Sequence, residues 1–203
     1  MIINVIFDLG NVLLSFDPHQ YVCEMITQKP LADKIYEEVF RSREWLMLDR
    51  GVITRDEAID IMCSKDTENS SVIKKVMEGW QEILNPIEGT VKILYELKKS
   101  GYKLFYLSNF HHLAHEYILK KYEFFNIFDG SVLSYKEKLL KPEREIYMKL
   151  SEAYSIKPEE SVFIDDMMEN IEGAKKCGFS AIQFINPDAL LVKLKEYDVL
   201  TNK

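Results

Sequence analysis

The sequence predicts an α/β fold, a parallel sheet flanked by helices, with a helical insertion after the first strand. Three observations predict it. Short apolar, β-branched runs alternate with segments whose apolar residues recur at helical spacing. The first run, Ile2 to Phe7, is almost wholly apolar, as in strands buried on both faces of a parallel sheet. From about Phe16 to Leu84 the alternation stops, and no strand pattern appears.

Four later runs resemble the first: Lys103 to Leu107, Ser131 to Leu133, Ser161 to Ile164 and Ala181 to Phe184. Helical patterns separate them. Thr90 to Lys99 is stopped by Gly101, and His112 to Lys121 follows the second strand. A third helix is predicted from Pro142, a favoured first helical residue, to Tyr154. Met168 to Lys176 is closed by Gly178, and Asp188 is expected to cap a last helix reaching Tyr197. Right-handed crossovers then make the sheet parallel.

The insertion, residues 16–84, reads as helices over His19 to Ile26, Ala32 to Phe40 and Ala58 to Met62, and from Asn69 or Ser70 to Ile83. Thr54 and Glu57 have the form of a capping box. Asn85-Pro86 marks the return to a core of residues 1–15 and 85–203.

With 203 residues, 47% of them hydrophobic, the chain can bury a large core. A net charge of −7 argues against a general nucleic-acid surface, though not against a local anion pocket. Cys23, Cys63 and Cys177 are too scattered for a zinc motif or a disulfide framework, which fits a reducing, cytoplasmic setting. MIINVIFDLG reads as a strand rather than a secretion signal, and no apolar run is long enough to span a membrane.

In open α/β sheets, ligands bind beyond the carboxyl ends of the strands. The residues there are Asp8, Gly10 and Asn11 after the first strand, Ser108-Asn109 after the second, and Asp165-Asp166 after the fourth. Lys141 precedes the third helix. Carboxylates from two strands can hold a hard cation such as magnesium. A carboxylate can also attack phosphorus. Hydroxyl, amide, ammonium and turn N–H groups can bind phosphate oxygens. Each piece alone also reads as a helix cap, a turn or a surface charge. Together they fall in order, each at a strand end or a helix start.

VIFDLGNVL, LSN, KPEREIY and VFIDDMMENIEGAKKCG resemble the four motifs of the haloacid dehalogenase superfamily, in the subfamily with a helical cap after the first strand. The likeness covers the whole chain and implies a Rossmann-like core. It implies Asp8 as nucleophile and magnesium ligand, the Gly10 carbonyl and Asp166 as further ligands, and Asp165 and Asn170 supporting them. It assigns Ser108 and Lys141 to the phosphoryl group, with Asn109 and the backbone at Asn11 assisting. A small phosphorylated metabolite is the implied substrate. The oligomeric state is not readable.

One position departs from the pattern. Most phosphatases of this superfamily carry an acid/base Asp two residues after the nucleophile; here it is Gly10. Three readings stand. The substrate has a good leaving group, as in the bacterial glucose-1-phosphate phosphatases that share FDLGNV. Another residue supplies the proton, with Asp17 or His19 as candidates, although Asp17 before Pro18 also reads as a helix cap. Or catalysis is lost and the chain only binds phosphate. A dehalogenase is the rival enzyme, but needs no acidic pair such as Asp165-Asp166. Arg41, Arg43, Trp45 and Arg50 read as a solvated helix face with one packed Trp; Tyr21 and Trp80 read as cap core.

Overall fold

The computed structural model describes residues 1–200. Strand β1 (Asn4–Phe7) leads into five helices: α1 (Pro18–Met25), α2 (Lys29–Phe40), α3 (Arg43–Arg50), α4 (Arg55–Lys65) and α5 (Ser70–Gly79). A 3-10 turn, Trp80–Ile83, ends this helical unit. The chain continues through α6 (Glu88–Lys99), β2 (Lys103–Ser108), α7 (His112–Lys121), β3 (Gly130–Leu133), the single turn α8 (Ser134–Glu137) and α9 (Arg144–Tyr154). It closes with β4 (Ser161–Asp165), α10 (Met168–Lys176), β5 (Ser180–Gln183) and α11 (Pro187–Glu196). No helix among the described residues is long and apolar enough to cross a membrane.

The sheet is parallel throughout, in the order β3-β2-β1-β4-β5. After β1 the chain builds β2 and β3 on one side, then crosses to add β4 and β5 on the other. β1 is therefore the switch point, and a crevice opens where β1 and β4 end. Alternation along β1 divides its side chains between the faces. Val5 and Phe7 pack with Leu104, Val162 and Ile164, whereas Ile6 packs with Phe105, Leu107 and Phe163.

The helical unit joins the sheet at a narrow neck. Ser15 N donates to the Asn85 carbonyl at 2.7 Å, and Leu14 bridges to both Gly10 and Pro86. At α4 the Thr54 hydroxyl accepts from Glu57 N, and the Glu57 carboxylate accepts from Thr54 N, completing the capping box.

Two sequence expectations are corrected. Pro142 does not start α9. Glu143 stays extended, its side chain held by Arg50 and by Leu140 N, so the helix begins at Arg144. Asn186, not Asp188, caps α11, accepting from Ala189 N at 2.9 Å. Arg43–Arg50 forms a helix with Trp45 packed and Arg43 exposed; Ser42 caps it, and Gly51 ends it at φ +70°, in the left-handed region.

Candidate active site

The β1–β4 pairing sets the first pair of groups. Asp8 N donates to the Ile164 carbonyl at 2.8 Å, extending the ladder by one residue. This places the Asp8 side chain beside Asp165, the last residue of β4, which is fully buried. Two buried carboxylates side by side repel unless a cation separates them. Lys141 does so, with Nζ 2.7 Å from Asp8 Oδ1 and 2.6 Å from Asp165 Oδ2. The Asp8 contact is an ion pair without hydrogen-bond alignment, and Oδ1 has no other partner.

Burial raises the Asp8 carboxyl above its ordinary range. Lys141 and a hydrogen bond from Ser108 oppose the rise, and the charge of Asp165 adds to it. Burial alone would lower the Lys141 ammonium, but Asp165 and Asp8 more than compensate, so the charge is retained.

Asp165 is held in place from several directions. Met167 N donates to Oδ1 at 2.8 Å, and Asn170 Nδ2 reaches both oxygens at 3.0 and 3.1 Å. Asn109 serves Lys141: its Nδ2 donates to the Lys141 carbonyl at 3.1 Å, and its Oδ1 accepts from Lys141 N at 2.8 Å. The Asn109 amide is thus spent on positioning the lysine backbone. Ser108, at the end of β2, is buried and lines the same cavity.

At the other rim, Asn11 takes φ +53°, and its N–H donates to the Leu14 carbonyl at 2.6 Å. Its Nδ2 faces Asp166 Oδ2 at 3.4 Å. Burial, then the neighbouring Asp165 charge, raises the Asp166 carboxyl. Asp8, Asp165 and Asp166 each present an oxygen, and these atoms all lie within 4.8 Å of one another. Three carboxylates against one ammonium leave an excess of negative charge in an all-oxygen donor set, which suits a hard divalent cation.

The cavity over these groups has a volume of about 250 Å³. Its floor is polar: Asp8, Gly10, Asn11, Ser108, Lys141 and Asp166. Its wall is aromatic and comes largely from the helical unit. Phe16 stacks on Trp45 at 6.2 Å, Trp45 meets Trp80 edge-on at 4.9 Å, and His111 stacks on Trp80 at 4.8 Å. Trp80 therefore faces the site as well as the cap interior.

The remaining sequence candidates fall elsewhere. Asp17 is exposed and caps α1, accepting from Gln20 N at 2.9 Å. His19, also exposed, pairs with Asp33 at 2.8 Å. Neither lines the cavity. Arg50 leaves the solvated group assumed for it and forms an ion pair with Glu143.

Sequence reasoning missed Asp49 and His111, which both line the cavity. Asp49 is 13% exposed, and its Oδ1 lies 3.6 Å from His111 Nε2. Burial, reinforced by the Asp8 charge and opposed by Lys141, pushes the Asp49 carboxyl up to about 8. Burial pushes His111 down to about 3, so its imidazole is neutral. The available signal was position: Asp49 precedes a helix-ending glycine in the cap, and His111 follows the Ser108-Asn109 pair.

With its acidic strand ends under a helical cap, the chain belongs to the haloacid dehalogenase-like hydrolases, whose family model matches residues 4–178. Among curated proteins, it is 26% identical to the sesquiterpene phosphatase astK of Aspergillus oryzae, covering 94% of each chain. It is 24% identical to the phosphorylated carbohydrates phosphatase of Thermotoga maritima, covering 88% of this chain and 82% of that one. Among solved structures it resembles a haloacid dehalogenase-family enzyme of Bacteroides thetaiotaomicron in complex with magnesium and inorganic phosphate. The TM-score is 0.72 at 25% identity, covering 92% of this chain and 96% of that one.

Proposed function

We propose that this chain is a magnesium-dependent phosphatase of small phosphomonoesters, working through an aspartyl phosphate on Asp8. The observation that carries this reading is the buried Lys141 ammonium clasped by Asp8 and Asp165, with Asp166 beside them. Asp8, the Gly10 carbonyl and Asp166 would hold magnesium, which when bound supplies charge neutralisation for the phosphoryl oxygens. Asp8 attacks phosphorus and takes the phosphoryl group as an acyl phosphate. Lys141 and Ser108 bind non-bridging oxygens, and Lys141 opposes the rise that burial imposes on the Asp8 carboxyl. Asn170 and Met167 N fix Asp165, and Asp165 fixes Lys141. Rate then comes from positioning and preorganised charge.

The cavity wall bears on the leaving group. Phe16, Trp45, Trp80, Phe110 and Met167 offer apolar area and few partners for hydroxyl groups. That favours an ester with an apolar organic part over a polyhydroxylated one. The FDLGNV resemblance favours a hexose 1-phosphate instead. Phosphate release from a panel containing both, with magnesium and with chelator, tests the proposal. Magnesium-dependent release that disappears in Asp8→Asn is the expected result. The faster ester assigns the leaving-group class. Halide release from a 2-halo acid without release from any ester would replace the phosphatase reading with a dehalogenase.

A further inference from the structure

Cleaving a phosphomonoester needs a proton for the departing oxygen, and then a base for the water that clears the acyl phosphate. The four carboxylates lining the cavity besides the buried Asp165 beneath it are Asp8, Asp49, Asp166 and Glu169. Asp8 is the nucleophile and Asp166 faces the cation position. Glu169 is exposed on the first turn of α10. Gly10 has no side chain, and Asp17 is committed to its helix cap.

We propose that Asp49, carried by the cap, is the general acid and base of this site, replacing the residue that Gly10 omits. The proposal rests on the phosphatase reading above.

The fold holds Asp49 in place through consecutive contacts to the core. The Asp49 carbonyl accepts from the Ser134 hydroxyl, and that hydroxyl accepts from Phe110 N at 2.8 Å. Asp49 is therefore tied to the loop that follows Ser108 and Asn109. Arg50 donates to the Glu143 carboxylate and to the Lys138 carbonyl. The Gly51 carbonyl accepts from Lys138 Nζ. Three successive cap residues are thus bound to the segment 134–143, which also carries Lys141. No protein hydrogen-bond donor occupies buried His111 Nε2, which faces Asp49 Oδ1 across 3.6 Å.

The groups facing Asp49 are Asp8 from β1, Lys141 before α9 and neutral His111 before α7. Burial raises the Asp49 carboxyl, the direction a proton donor needs. In the first step Asp8 forms a bond to phosphorus, the ester P–O bond breaks, and the Asp49 proton goes to the departing alkoxide as alcohol. In the second, water attacks the phosphorus of the acyl phosphate and passes a proton to the Asp49 carboxylate. The Asp8–phosphorus bond breaks, inorganic phosphate leaves, and both carboxyl groups are restored.

Gly10 supplies a control. A Cβ built there meets nothing within 4 Å, and its φ is not in the left-handed region, so the backbone admits a side chain. The experiment measures kcat/KM with magnesium on p-nitrophenyl phosphate, whose leaving group needs little protonation, and on a primary alkyl phosphate, whose leaving group needs it. The proteins are wild type, Asp49→Asn and the double variant Asp49→Asn/Gly10→Asp. Asp49→Asn is expected to lose about 10²-fold or more on the alkyl ester and less than about tenfold on the aryl ester. The double variant is expected to regain much of the alkyl activity. Equal losses on both esters, or none on either, would overturn the role of Asp49 while leaving the phosphatase reading intact. Wild type with no magnesium-dependent turnover of either ester would overturn both.

Discussion

Arg50, on the last turn of α3, forks onto Glu143, which lies between Lys141 and α9, so an ion pair from the cap ends two residues from Lys141. Burying the wall of the site requires the cap to stay on the core, and this pair is a fastening across that junction. Both side chains are about one-third exposed, so solvent screening limits the pair to roughly 1 kcal/mol or less of stability. The larger effect is expected on catalysis. Arg50→Ala and Glu143→Ala should each lower kcat/KM severalfold with little change in Tm, and the double variant should lose no more than either alone. Additive losses would show that the two act separately.

Lys141 is expected to be structural as well as catalytic. It is 2% exposed and separates two buried carboxylates. Removing one partner of a buried charge cluster typically costs about 3–5 kcal/mol, because the remaining charges lose their compensation. Lys141→Met should abolish turnover and lower Tm. Without the ammonium, protonation of Asp8 relieves its repulsion from Asp165, so the deficit should be smaller at pH 5 than at pH 8. Thermal melts across that range check this, and a deficit that does not vary with pH would contradict it.

The part of the site borne on strand ends was legible because its signals are local. A β-branched run followed by Asp8, or by Asp165-Asp166, states both the strand and the group at its tip. The sheet was legible for the same reason, and β2 to β5 begin and end within about a residue of expectation. Asp49 was not legible because nothing near it in sequence determines its surroundings. It lines the cavity with Asp8 only because α3 docks on the 134–143 segment, a contact spanning some 85 residues. Trp45 and Trp80 were readable as buried but not as cavity wall, since the two roles use the same residue type. Asn186 outranked Asp188 as a cap because Pro187 takes the first helical position.

Gly51 is the backbone device behind the position of Asp49. It ends α3 at φ +70°, where an L side chain costs about 1–2 kcal/mol, and an added Cβ would collide with the Tyr135 carbonyl oxygen. Gly51→Ala should therefore lower Tm and push the end of α3 off the core. If Asp49 acts as proposed, kcat/KM should fall on the alkyl ester far more than on p-nitrophenyl phosphate, as in Asp49→Asn. Equal losses on the two esters would mean that the docking of α3 matters only for stability.

Burial of Asp49 should also appear in stability without substrate. Its carboxyl titrates near 8 in the folded chain and near 4 when unfolded. Between those values the folded state keeps a proton that the unfolded state has released. Its contribution to stability is therefore present below pH 4, is lost as pH rises, and is gone above about 8. An asparagine carries no such term. Asp8 titrates in both proteins, and His111 stays neutral across most of the window because burial holds it near 3. The Tm of Asp49→Asn minus that of wild type should thus increase from pH 5 to pH 8 and level off beyond, each kcal/mol appearing as about 2–4 °C in a chain of this size. Melts in chelator, with Asp17→Asn as an exposed comparison, read the difference directly. Parallel curves for Asp49→Asn and wild type would place the Asp49 carboxylate in water rather than in the cavity.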